Sequence, residues 1–150
     1  MTQHLDALFV DVLASAQRVM ARELGERLAE EDASVDQWRT LRVIGAATGI
    51  SMGTLAENVQ IPAPSLTRLV DSLVDRALVY RRQSGTDKRR IDVHLSDNGK
   101  QLLQRLESIA TDHQLLLERK FGRSHLLAII ALLEHIQEQH PRDSVRIGSI

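Results

Sequence analysis

The chain has 150 residues, 43% of them apolar and 26% charged, with a formal net charge of −1 and no cysteine. That length suits one domain and can bury roughly 68–70% of the surface its unfolded chain would expose, so no disulfide or metal staple is required. The lack of Cys excludes disulfides, thiol catalysis, thiolate zinc sites and cysteine-based redox sensing, and the near-neutral total gives no bulk attraction to nucleic acid.

The N-terminal stretch "MTQHLDALFVDVLASAQRVM" has no basic segment ahead of its apolar residues, and acids interrupt them, so it reads as neither a signal peptide nor a membrane span. A cytoplasmic location is expected. Leu5, Leu8, Phe9, Val12, Leu13, Ala16, Val19, Met20, Leu24 and Leu28 recur at helical spacing and predict one long amphipathic helix over 4–29. "EEDAS" breaks it. Ser34 with Gln37 three residues on forms a capping box for a second helix, 35–47, which Gly49 stops. Ser51 caps a short third helix, 52–58. Pro62 and Pro64 prevent "QIPAP" from being helical throughout, and Pro64 suits the first turn of a fourth helix, 64–77, with Leu66, Leu69, Val70, Leu73 and Val74 inward.

Val79 to Gln83 then reads as a short strand, and Ile91, Val93 and Leu95 alternate as a second one across the turn-rich "SGTD". Ser96 caps a helix reaching 119, with Leu102, Leu103, Leu106, Ile109, Ala110, His113, Leu116 and Leu117 as its stripe. "FGRS" separates it from a last helix, 124–139, carrying Leu126, Leu127, Ile130, Leu133 and Ile136; Pro141 ends that helix, and "RDSVRIGSI" reads as frayed.

Helix, short helix, turn, helix, hairpin is the order of a winged helix-turn-helix. The fold class is therefore mainly α with a small β-hairpin wing, a winged helix-turn-helix flanked by long helices. In such a unit the second helix of the motif enters the major groove. Its exposed first-turn residues, Pro64, Ser65, Thr67 and Arg68, followed by Asp71 one turn on, would then face bases or phosphates. The charge distribution agrees: Arg68 to Arg90 carries a net +4 and the rest of the chain −5. The hairpin tip concentrates Lys88, Arg89 and Arg90, with Arg81 and Arg82 on its first strand, where alternation sends only one of the two toward a phosphate. A cation at such a tip can enter a minor groove. Asp87 beside it would steady the wing by pairing with a neighbouring Arg or by bonding the turn backbone.

The segment "SVDQWRTLRVIGAATGISMGTLAENVQIPAPSLTRLVDSLVDRALVYRRQSGTDKRRIDVHLSDNGKQLL" resembles the central region of the MarR family of bacterial transcription regulators. The resemblance rests on Leu55-Ala56 in the third helix and on Thr67, Arg68, Asp71 and Leu73 in the fourth. It continues through "ALV" from Ala77 and through Asp87, Arg89, Val93, Leu95, Ser96 and Gly99 in and after the wing. Ala77 stands where the family has Gly, and Ser96 where it has Thr. The match covers 34–103; the flanking helices fit in placement and length only.

The resemblance implies a winged helix-turn-helix part over 34–98, with 4–29 and 97–140 as interlocking dimerisation helices of one 1–150 unit. It implies a homodimer on a pseudo-palindromic double-stranded operator, usually as a repressor released by a small anionic or phenolic ligand. Arg89 fills the position expected in the minor groove, with Arg90 as the alternative. The family's ligand cleft lies between the dimer helices and the winged part. There Trp38 is either core packing or a cleft wall, Arg42 either a carboxylate anchor or a surface or phosphate-facing cation, and His113 either a core or interface histidine or a ligand or proton site. No cofactor is expected, and His113, His125, His135 and His140 form no tight metal-ligand motif. Gly-rich phosphate loops, nucleophile elbows and HExxH are absent from the sequence, so no enzyme is indicated. The competing reading is a winged-helix protein-interaction module that does not touch DNA.

Overall fold

The structure, a computed structural model, describes residues 8–139. In chain order the elements are α1 (Phe9–Leu28), a single 3-10 turn (Ala29–Glu31), α2 (Val35–Gly45), β1 (Ile50–Ser51), α3 (Met52–Val59), α4 (Ala63–Asp75), β2 (Val79–Gln83), β3 (Ile91–Leu95), α5 (Asp97–Phe121) and α6 (Arg123–Gln139). The mainly helical winged architecture is the one the sequence predicts. The first residues expected in the opening helix, Pro141 and the tail "RDSVRIGSI" lie outside the described residues. Among the described residues no helix is long and apolar enough to cross a membrane.

Three serines start three helices. The Ser34 hydroxyl accepts from the Gln37 amide at 3.1 Å while Gln37 Oε1 accepts from the Ser34 amide at 2.9 Å, completing the capping box. Ser51 accepts from the Thr54 amide at 3.2 Å, and Ser96 from the Gly99 amide at 3.0 Å. Each such cap contributes about 1 kcal/mol.

The strands form an antiparallel sheet of order β1-β3-β2. Val79 pairs with Leu95 and Gln83 with Ile91, so the hairpin has the bounds its alternation predicts. β1 is not predicted. Its two residues are too short to show a period, and Ser51 serves both as its end and as the α3 cap. Ile50 lies across from Val93, which makes β3 the central strand.

Two helix ends also differ from expectation. α2 stops at Gly45, not at 47, and the chain turns through Gly49 at φ 120° to bring Ile50 onto β3. α4 ends at Asp75, not at 77, because Ala77 takes φ 55°. The Ala77 amide bonds the Val74 carbonyl at 2.8 Å and the Leu78 amide bonds the Leu73 carbonyl at 2.9 Å. This is a Schellman ending with alanine in the left-handed position that usually holds glycine.

Leu41, Ile44, Leu55, Leu66, Val70, Leu73, Val79, Val93, Leu102 and Leu106 form one buried core, joined by Leu28 at the end of α1. Burial of each such side chain stabilises by about 1.5–3 kcal/mol. The rest of the α1 stripe behaves differently. Phe9, Val12, Leu13 and Val19 are exposed, as are Leu116 and Phe121 near the end of α5 and Leu127, Ile130 and Ile136 on α6.

Ala77→Gly should stabilise the fold by about 0.5–1 kcal/mol, the left-handed strain of alanine exceeding the extra chain entropy of glycine. A urea midpoint that rises with unchanged slope is the expected result. A lower midpoint would mean that the Ala77 methyl makes contacts worth more than the strain.

Candidate nucleic-acid interface

α4 begins without a side-chain cap, behind Pro62, and has no acid in its first turn. Its positive dipole end is therefore uncompensated. Pro64, Ser65, Thr67 and Arg68 are all exposed there, while Leu66 and Val70 anchor the opposite face at 0% exposure. Thr67 donates to the Ala63 carbonyl at 2.9 Å, which keeps its oxygen free to accept. Arg68 Nε makes only a long 3.4 Å bond to the Pro64 carbonyl, which leaves its terminal nitrogens available. Asp71, one turn on, does not point to a free surface charge: its Oδ1 accepts from Arg81 Nη2 at 2.6 Å. This pair ties the wing strand to α4, though at half exposure its net worth is about 0–1 kcal/mol.

Strand alternation separates the two neighbouring arginines. Arg81 lies across from buried Val93 and reaches α4, whereas Arg82 lies across from Asp92 on the other face with Tyr80. The loop from Ser84 to Arg90 is closed by the Ser84 amide bonding the Arg90 carbonyl at 2.8 Å. Asp87 sits at its centre. Its Oδ1 accepts from the Arg89 amide at 2.9 Å, and its carbonyl accepts from the Arg90 amide at 3.0 Å. Of the two roles open to Asp87, the structure displays the backbone one.

The guanidinium partner in the wing is instead Asp92. Arg90 Nε and Nη2 donate to its two carboxylate oxygens at 2.9 and 3.2 Å. Arg90, foremost, and then the Ser84 hydroxyl hold the Asp92 carboxyl below the usual carboxylate range, against the opposing effect of burial. Among the described residues the side chains of Arg82, Lys88 and Arg89 are exposed and have no partner.

Of the three side chains expected at a ligand cleft, Trp38 and Arg42 come together on Glu107 and His113 does not join them. Trp38 is buried, its Nε1 donates to Glu107 Oε1 at 3.3 Å, and the Arg42 guanidinium covers its ring at 5.1 Å. Arg42 is itself 3.6 Å from Glu107, so its charge is already answered. His113 lies apart, buried between α5 and α1, with Nε2 at 3.7 Å from Glu23 Oε2. None of the three lines the open cleft of about 460 Å³ between the end of α2, the root of the wing and the start of α5. That cleft has Ile44, Leu95 and Leu103 as its apolar part, with Tyr80, His94 and Lys100 around them. Tyr80 and His94 stack across the two strands at 5.3 Å. Sequence reasoning did not single out Asp92, His94, Tyr80 or Glu107. The one available signal was the spacing of Arg90, Asp92 and His94, which puts all three on one face of a strand.

Residues 32–90 match the family model described as MarR family. The chain is 24% identical over 124 residues to an HTH-type transcriptional regulator, FarR, of Neisseria gonorrhoeae, covering 83% of this chain and 85% of that one. It is 24% identical over 148 residues to the homoprotocatechuate degradative operon repressor of Escherichia coli, covering 93% and 98%. Its fold superposes with a TM-score of 0.82 on the transcriptional repressor CouR bound to a 23-mer DNA duplex, at 26% identity over 91% of this chain and 96% of that chain.

The Arg90–Asp92 pair sets a pH window for the wing. The Asp92 value in the folded chain is lowered. Its stabilisation is therefore complete above the unfolded carboxylate value of about 3.9 and is lost as pH falls through the folded one. Protection of the Ser84 amide, corrected for intrinsic exchange, should stay constant from neutral pH to about 4 and fall below that. Loss of protection already near pH 6 would contradict the assignment.

Proposed function

We propose that the chain is a DNA-binding transcription regulator of the MarR family, whose model residues 32–90 match, and that it acts as a homodimeric repressor on a pseudo-palindromic operator and leaves DNA when a small aromatic or anionic ligand binds. The observation that carries the DNA mode is the pairing of two exposed surfaces, the first turn of α4 and the wing, held together by the Arg81–Asp71 bridge. In this reading Pro64, Ser65, Thr67 and Arg68 meet the major groove, where Arg and hydroxyl side chains can read base edges or bind phosphate. Arg89 enters the minor groove, and Arg82 and Lys88 neutralise phosphates. The winged part, 34–98, does the reading; helices within 4–29 and 97–140 join the protomers.

The unpartnered apolar stripes of α1, α5 and α6 support that pairing. A lone protomer would leave Phe9, Leu13, Leu116, Phe121 and Ile130 in water. A two-fold partner removes them, and its symmetry sets two half-sites about 10–10.5 bp apart. The relative named as repressor of a homoprotocatechuate degradative operon supports repression. For that ligand the cleft beside Tyr80 and His94 suits the reading better than Trp38 and Arg42, which already satisfy Glu107.

Titration against DNA from the upstream region of its own coding sequence tests the operator reading. Two protomers per site are expected, with at least ~10³-fold preference over scrambled DNA. Arg89→Ala should flatten the plot of log affinity against log salt by about 1.8, about 0.9 for the phosphate share of each of the two protomers. Equal weak binding to both DNAs with no salt slope would favour a protein-interaction module. In the same assay an aromatic carboxylate such as benzoate should release the operator from the native chain and not from Tyr80→Ala. Release that survives this change would move the ligand out of the cleft.

A further inference from the structure

We propose that Arg90 does not touch DNA but is a positioning residue: with Asp92 it forms a latch that fixes the wing tip and withholds one positive charge from the phosphates. The inference rests on the wing's role in DNA binding and refines it. By sequence Lys88, Arg89 and Arg90 are three equivalent cations at a hairpin tip. Their surroundings divide them. Lys88 and Arg89 project without a side-chain partner, and Arg89 lends only its backbone amide to Asp87. Arg90 turns back along the strand and forks onto both oxygens of Asp92.

The asymmetry of exposure gives the latch its direction. The Asp92 side chain is 8% exposed and that of Arg90 50%. Were Arg90 to leave for a phosphate, it would exchange one anion for another, and the carboxylate left behind would be almost out of water without its two-pronged partner. That penalty exceeds what one phosphate contact returns at an exposed tip. The loop geometry also depends on the pair. The Arg90 carbonyl receives the Ser84 amide and its own amide bonds Asp87, so fixing the Arg90 side chain fixes both rungs that shape the tip and aim Arg89.

Asp92 has a second guanidinium across from it. Arg82 is its register partner on β2, on the same face of the sheet, yet carries no ion pair. One buried carboxylate thus holds one of two candidate arginines and leaves the other free. The number of wing cations facing DNA is set by Asp92 and not by the count of Lys and Arg in the loop.

The experiment is the salt dependence of operator binding for the full chain and four variants. Arg89→Ala should flatten the log–log slope by about 1.8, about 0.9 from each protomer of the dimer. Arg90→Gln should weaken binding several-fold while changing the slope by less than half that amount, because no phosphate contact is lost. Asp92→Asn should release Arg90 in both protomers and steepen the slope by up to about 1.8, with tighter binding to scrambled DNA. Adding Arg90→Gln to Asp92→Asn should return the slope to the native value. A residue that was merely structural would not produce this gain. Flattening by Arg90→Gln equal to that of Arg89→Ala would overturn the latch. An unchanged slope in Asp92→Asn, in a variant whose helical circular dichroism is native, would overturn it as well. If Arg89→Ala also left the slope unchanged, the failure would belong to the wing's contact with DNA itself.

Discussion

The carbonyl oxygen of Leu78 receives the Ser96 amide at 3.0 Å and shares the Ser96 hydroxyl with the carbonyl of Ala77. A Cβ on Gly99 would stand 2.0 Å from that same oxygen. These contacts join the end of α4, the root of both wing strands and the first turn of α5 at one point. A backbone atom cannot swing aside as a long side chain can, so the position after the wing must be glycine for α5 to start where it does. The strand register follows, since Ser96 immediately succeeds β3 and Leu78 immediately precedes β2. With the root fixed, the Arg81–Asp71 bridge sets the tilt of the wing against α4, and the wing tip comes to a defined distance from the first turn of the helix beside it.

This arrangement explains how a chain of net charge −1 presents a cationic edge. Three acids at that edge, Asp71, Asp87 and Asp92, are not scattered dilution. Asp71 holds Arg81, Asp87 bonds the backbone of the loop, and Asp92 holds Arg90. Each carboxylate shapes the edge and in two cases cancels a charge there. Arg82, Lys88 and Arg89 remain, together with Arg68 on α4. Local placement decides the field that a phosphate meets, and the sum over the molecule does not.

Much of this was legible in the residues alone. Capping serines, the 3.6-residue stripes and the two-residue alternation of the hairpin are local signals, and the elements they mark sit at or close to their expected bounds. What escaped were features set by contacts distant in sequence. β1 exists only because Ile50 meets Val93, and α2 stops early because the chain must turn to make that meeting. The destinations of the arginines were likewise hidden. Period-two alternation separates Arg81 from Arg82, but nothing local says that Asp92 rather than Asp87 takes Arg90. Trp38 and Arg42 drew attention as a polar and an aromatic group one turn apart; their shared partner, Glu107, lies 69 residues from Trp38.

Pro62 and Pro64 bracket the start of α4, one as the residue before the helix and the other within its first turn. Their rings fix two backbone angles before any partner arrives, and Pro64 removes one amide that a phosphate would otherwise meet. The first turn of α4 is therefore rigid in the free protein, and association of DNA there, as proposed above, would require little ordering. Contact with a helix end that offers fewer backbone donors depends more on side chains, which differ in fit from one base sequence to the next. Discrimination between operators should then be expressed in how long the complex lasts rather than in how fast it forms.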